Sequence, residues 1–176
     1  SLLPAALQGA RTFVKSNEGG RLQARMYYKI AEWKMELEGG TQYEASLTEV
    51  LAACKACTEN ATNWYKAWHA WAITNFEAVS FYEKQDAKKS RKKIVKHLIA
   101  AINGFFRSIA LSPGKSFQDT LRLLTLMFKH GGEKEAEAAL LRGFTTVSVD
   151  TWLQVIPQII ARIHSPSKSV RNLVNE

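Results

Sequence analysis

The chain holds little of what an active site draws on. Its 176 residues include 2 cysteines and 4 histidines. The cysteines stand together as Cys54-Lys55-Ala56-Cys57. A structural zinc site takes four ligands, as a rule with a second pair at a set distance, and no second pair follows. A thioredoxin-type motif needs a βαβ setting, which the helical pattern described below denies. The pair therefore reads as two small residues on a packed helix face, reduced in an intracellular setting. His69, His97, His130 and His164 each fall on a different predicted helix or helix end. None is spaced with another histidine or a carboxylate as metal ligands are. His69, beside Trp68, reads as a packed or capping group. His130 and His164 fall at predicted helix C-termini, where the dipole favours a cation. The phosphate-cradling strings G-x-x-x-x-G-K and G-x-G-x-x-G are absent, and so are H-R-D and D-F-G. Nucleotide loops of those types and a kinase catalytic loop are thereby excluded from these residues. Glu133, Glu135 and Glu137 sit in a predicted first helical turn, which suits the dipole and implies no shifted pKa. No catalytic, cofactor-binding or metal-binding residue is assigned.

Long apolar runs are missing too. No stretch approaches about 18 consecutive apolar residues, so no transmembrane helix is expected. The first residues lack the charged, apolar and small-residue succession of a signal peptide. At 46% hydrophobic and 23% charged residues, the composition is that of a folded globular chain. The 24 Lys and Arg outnumber the 16 Asp and Glu, for a formal charge of +8. That excess is local. From Lys84 to His97 lie Lys84, Lys88, Lys89, Arg91, Lys92, Lys93 and Lys96 against Asp86 alone, a balance of +6, leaving +2 for the rest. A nucleic-acid face interleaves cations with aromatics across a fold, and this block holds no aromatic between Lys84 and Lys96. It reads first as a solvated helix end or loop, with localisation-signal or anionic-lipid contact as the alternatives. Nucleic acid is not expected as a partner.

What the chain has in quantity is helical periodicity. Leu22, Met26, Tyr27, Ile30, Trp33 and Leu37 advance by steps that keep one stripe of a helix. Tyr43 to Cys57 repeats the pattern through Leu47, Val50, Leu51 and Cys54, with Glu49, Lys55 and Glu59 facing elsewhere. Asn63 to Tyr82 is the aromatic segment, where Trp64, Trp68 and Trp71 fall on one side of a helix and predict a core role, with a peptide-binding groove on a solenoid as the alternative. Ile94 to Leu111 stops at Ser112-Pro113. Ser116 is placed to cap Phe117 to His130, with Asp119 completing an S-x-x-D capping box. Glu133 to Phe144 is rich in helix formers. Thr145 to Val149 reads as a connector, and Asp150 as the cap of a helix over 151–163 that Pro157 kinks. Gly19-Gly20, Gly39-Gly40 and Gly131-Gly132 punctuate these segments. Helix starts about 20 residues apart give pairs of about 40, within the range of helical solenoid repeats, with a compact bundle as the alternative.

Three strings go further. NWYKAWHAWAITNFEAVSFY (Asn63 to Tyr82), NGFFRSIALSPGKSFQDTLRLLTLMFKHG (Asn103 to Gly131) and DTWLQVIPQIIARIHSP (Asp150 to Pro166) resemble the target-of-rapamycin kinases. They look like the C-terminal part of that family's FAT domain, ahead of the rapamycin-binding and kinase domains. KIAEWKMELEGG (Lys29 to Gly40) is similar to an upstream helix of the same region.

The resemblance implies an all-α, right-handed α-solenoid of helix pairs. These are TPR-like over 1–87, then HEAT-like over 94–176, with 88–93 as a basic connector where the family carries a variable insertion. It implies a non-catalytic clamp around the kinase domain of a Ser/Thr kinase that uses ATP and Mg²⁺ elsewhere in the polypeptide and controls growth in response to nutrients. Implied partners are the kinase and rapamycin-binding domains of the same chain, a WD40 subunit and large scaffold subunits, in a dimeric assembly. The implied place is cytoplasmic, peripheral to vacuole or lysosome membranes. No functional residue of the family maps onto these positions. The residues alone leave a second reading, a free-standing helical-repeat adaptor for peptides or anionic surfaces.

Overall fold

The computed structural model describes residues 22, 24–26, 28–29, 43–86 and 88–153. Among them there is no strand, and the all-α expectation holds. The helices are α1 (Tyr43–Asn60), α2 (Tyr65–Asp86), α3 (Arg91–Leu111), α4 (Phe117–His130), α5 (Lys134–Phe144) and α6 (Val149–Leu153), with a 3-10 turn at Pro113–Lys115. Residues 22, 24–26 and 28–29 are also helical. The chain divides into two compact units, Ser1–Trp71 and Ala72–Glu176, with the boundary inside α2.

In the first unit, Val50, Ala53 and Cys54 of α1 and Ala70 of α2 form a buried cluster, with Tyr28 and Trp71 packed against it. Ala67 and Ala70 are the buried members of the start of α2, while Trp64, Trp68 and Trp71 are half-buried. The tryptophans are thus edge residues more than core, a partial correction of the expected stripe. Small side chains let the helices close up. An indole, by contrast, keeps its N–H within reach of a polar group. Trp68 Nε1 donates to the Thr62 carbonyl at 2.7 Å, and Trp64 stands 5.6 Å from the Tyr28 ring.

In the second unit α3 is the core helix. Ile94, Leu98, Ala101, Ile102, Phe105, Phe106 and Ile109 are buried, and the helix packs on α4 and α5. By length and composition α3 is apolar enough to cross a membrane, yet more than half of that apolar span is spent against its neighbours. Phe105 meets Phe76 edge-on at 6.1 Å. Phe106, Phe144 and Trp152 form a three-ring group with centroids 5.1 to 6.1 Å apart. Phe106 lies directly over Gly143: a Cβ there would stand 2.0 Å from the ring.

Boundaries differ from expectation in instructive places. The basic connector is short, a turn at Lys88–Ser90, and Arg91–Lys93 already form the first turn of α3. α4 runs from Phe117 to His130 as its punctuation predicts, but the capping box is not made. Ser116 Oγ donates instead to the Pro113 carbonyl at 2.8 Å, and Asp119 accepts from Ser108 Oγ at 2.8 Å. α6 begins at Val149, so Asp150 lies in its first turn rather than at its cap. Gly19-Gly20, Trp33, Leu37, Gly39-Gly40, Pro157 and His164 lie outside the described residues.

Candidate functional site

The most distinctive surface is the corner of the second unit where the end of α2, the 88–90 turn and the first turns of α3 meet the end of α4 and the start of α5. The cations come from sequence-adjacent residues because turn and helix N-terminus follow directly on one another. Lys84, Lys88, Lys89, Arg91, Lys92, Lys93 and Lys96 are all exposed. Two carboxylates at the corner are held by cations. Glu83 Oε2 accepts from Lys129 Nζ at 2.5 Å, and Arg91 Nη2 donates to Glu133 Oε2 at 2.9 Å. Beneath the cations lies a cleft of about 250 Å³ lined by Glu83, Lys88, Arg91, Ile94, Val95, Leu98, His130 and Glu133.

His130 ends α4 as the sequence suggests, but burial overrides the helix dipole. Its pKa is lowered, mainly by desolvation and further by Lys129, while Glu83 and Glu133 pull the other way. Nε2 stands 3.1 Å from Glu83 Oε1 and is buried, yet it lacks the alignment of a hydrogen bond. His97 is likewise held below its ordinary value by burial, then by Lys96 and Lys93. Its Nδ1 donates to Asn75 Oδ1 at 2.9 Å, and its ring stacks on Tyr82 at 5.6 Å. Lys93 Nζ sits 4.9 Å from the centre of the same Tyr82 ring, a cation–π contact. Asp119 is buried between Ser108 and Arg122, the latter 3.6 Å away.

The cysteine pair faces the first unit's interior. Cys57 Sγ donates to the Ala24 carbonyl at 2.9 Å, and burial, with Cys54 beside it, pushes its pKa up to about 12. A thiol so protonated is neither nucleophile nor ligand at neutral pH. Among the described residues no group of three or more His, Cys, Asp or Glu is placed to hold a metal ion. The basic stretch was visible in the sequence. The cleft was not, since Glu83, Leu98, His130 and Glu133 come together only through packing.

Comparison with known proteins gives this surface a context. Residues 10–125 match the FAT domain family. The chain is 42% identical over 161 residues to the serine/threonine-protein kinase tor1 of Schizosaccharomyces pombe, covering 92% of the chain and 7% of that protein. It is 45% identical over 165 residues to the serine/threonine-protein kinase TOR of Oryza sativa subsp. japonica, covering 90% and 6%. Against the serine/threonine-protein kinase TOR2 of Saccharomyces cerevisiae the identity is 36% over 182 residues, covering 85% and 7%. The chain therefore spans a small fraction of the relatives it matches. It belongs to the FAT domain family, in the form carried by target-of-rapamycin kinases.

Proposed function

We propose that this chain is a non-catalytic helical scaffold segment of a target-of-rapamycin kinase. The match to the FAT domain over residues 10–125 carries this reading. The physics of the second unit supports a mechanical role: α3 is buried along its apolar stripe between α4 and α5. A close-packed interior does not compress, so a displacement imposed on one helix passes to those it touches. In the proposed arrangement the helix pairs follow a right-handed solenoid, TPR-like and then HEAT-like, that clamps the kinase domain of the same polypeptide. ATP and Mg²⁺ act in that kinase domain and not on these residues. A WD40 subunit, large scaffold subunits and a dimeric assembly complete the proposal, at a cytoplasmic or vacuole- and lysosome-peripheral site in nutrient signalling.

The test is a helix break away from any catalytic atom. Leu123 is buried within α4. Leu123→Pro removes a backbone donor and opposes the preceding turn, which costs a helix about 3 kcal/mol or more. In the full-length enzyme, with the kinase domain shown intact by limited proteolysis, basal activity toward a protein substrate is expected to change. Unchanged activity in that folded protein would overturn the clamp.

A further inference from the structure

We propose that the basic corner of the second unit is a docking site for an acidic, extended peptide segment that inserts one apolar side chain into the cleft. Charge is the first argument. Seven cations against Asp86 occupy Lys84 to His97; the nearby Glu83 is held by Lys129 from outside that stretch, and Glu133 engages Arg91, which leaves six of the seven beyond that pair. The second is where those cations sit. The first turn of α3 holds Arg91, Lys92 and Lys93 and no acid. Cations at the positive end of a helix dipole are unfavourable by about 0.3–1 kcal/mol each. A carboxylate-rich partner relieves that repulsion, and its own charges gain from the same dipole. The third is the cleft itself, about 250 Å³ over an apolar floor of Ile94, Val95 and Leu98, with Lys88, Arg91 and His130 on its rim beside the carboxylates of Glu83 and Glu133. A space below the usual roughly 300–1,000 Å³ of a small-molecule pocket suits a single side chain. Clusters of basic side chains are a recurring means of recognising acidic segments, and the recess adds a place for one apolar side chain.

Two other anionic partners fit less well. Single-stranded nucleic acid binds by stacking on exposed aromatics, and Tyr82, the ring under Lys93, is buried. A lipid surface has no use for a recess that holds one side chain.

The experiment is fluorescence polarisation on the full-length protein with two labelled glutamate-rich peptides that differ only in a central phenylalanine or glycine. The phenylalanine peptide is expected to bind about tenfold tighter, the effect of burying one anchor, and both weaken as salt rises. Combined Lys88→Glu, Lys89→Glu and Lys92→Glu, all at exposed positions, is expected to abolish both. Val95→Trp fills the cleft and is expected to remove the phenylalanine advantage while leaving the salt-sensitive part. Equal affinity for the two peptides overturns the proposal. So does undiminished binding by the charge-reversed protein, or stronger competition by phosphatidylserine vesicles or single-stranded DNA than by unlabelled peptide at equal charge.

Discussion

At position 143 the side chain is a single hydrogen, and the space a larger residue would need is filled by the ring of Phe106. Phe106 is 3% exposed and is held by Phe144 and Trp152, so it has nowhere to yield. Gly143→Ala places a methyl group 2.0 Å from that ring. Overpacking of this kind costs about 1–3 kcal/mol, against the roughly 0.8–1.0 kcal/mol that alanine returns in helix propensity, and a contact this close lies at the upper end of that cost. A lower urea midpoint at unchanged slope is the expected result, and a midpoint equal to or above that of the parent protein would refute it. Nothing local announces this constraint. Gly143 in the sequence is a glycine late in a helix, and its partner lies on another helix altogether. Asp119 teaches the same lesson in reverse: its spacing from Ser116 suits a capping box, but Ser108 and Arg122 claim its carboxylate.

At the scale of the element, helix interiors were legible and some of their ends were not. α4 is bracketed by Pro113, Ser116 and Gly131, residues whose backbone preferences stop or start a helix, and its bounds follow. α3 starts at Arg91, ahead of Ile94 where its apolar stripe begins, because a run of cations carries no periodic signal and violates the usual bias toward acids in a first turn. That violation is measurable. Lys92→Glu replaces an exposed cation at the positive end of α3 with an anion, and should stabilise the fold by roughly 0.3–1 kcal/mol at low salt. A rise in melting temperature that shrinks as salt is added is the expected outcome. Val149–Leu153 shows the other limit: Asp150 is a good capping residue, but the helix opens two positions earlier than that cap implies, where the Thr151 amide reaches the Ser148 carbonyl at 3.1 Å.

For the whole molecule, the formal +8 divides into a stretch of +6 from Lys84 to His97 and a remainder of +2. The clustering was readable from composition along the chain. The cleft beneath was not, because its walls are contributed by residues that only folding brings together. Stability as a function of pH is also a property of the whole. His97 and His130 are both lowered below the histidine value of about 6.5 that the unfolded chain keeps. As pH falls through about 6.5 the unfolded state takes up protons first, so their contribution is full above that value and declines below it. For His97 the facing groups are Asn75, Tyr82, Lys93 and Lys96; for His130 they are Glu83, Lys129 and Glu133. The urea midpoint is expected to be lower at about pH 5.5 than at about 7.5, and the double change His97→Gln with His130→Gln should flatten that difference. A pH response identical in the double variant would place the titration elsewhere.

Both cysteines of the chain are wholly withdrawn from solvent, and the Cys57 thiol is engaged with a backbone carbonyl. The folded chain thus offers a thiol-specific reagent no accessible thiol of its own. A cysteine introduced at an exposed position, such as Lys89→Cys, becomes the sole point on this chain where a fluorophore or spin label attaches. Distances from the basic corner can then be followed spectroscopically in a chain that keeps both native thiols.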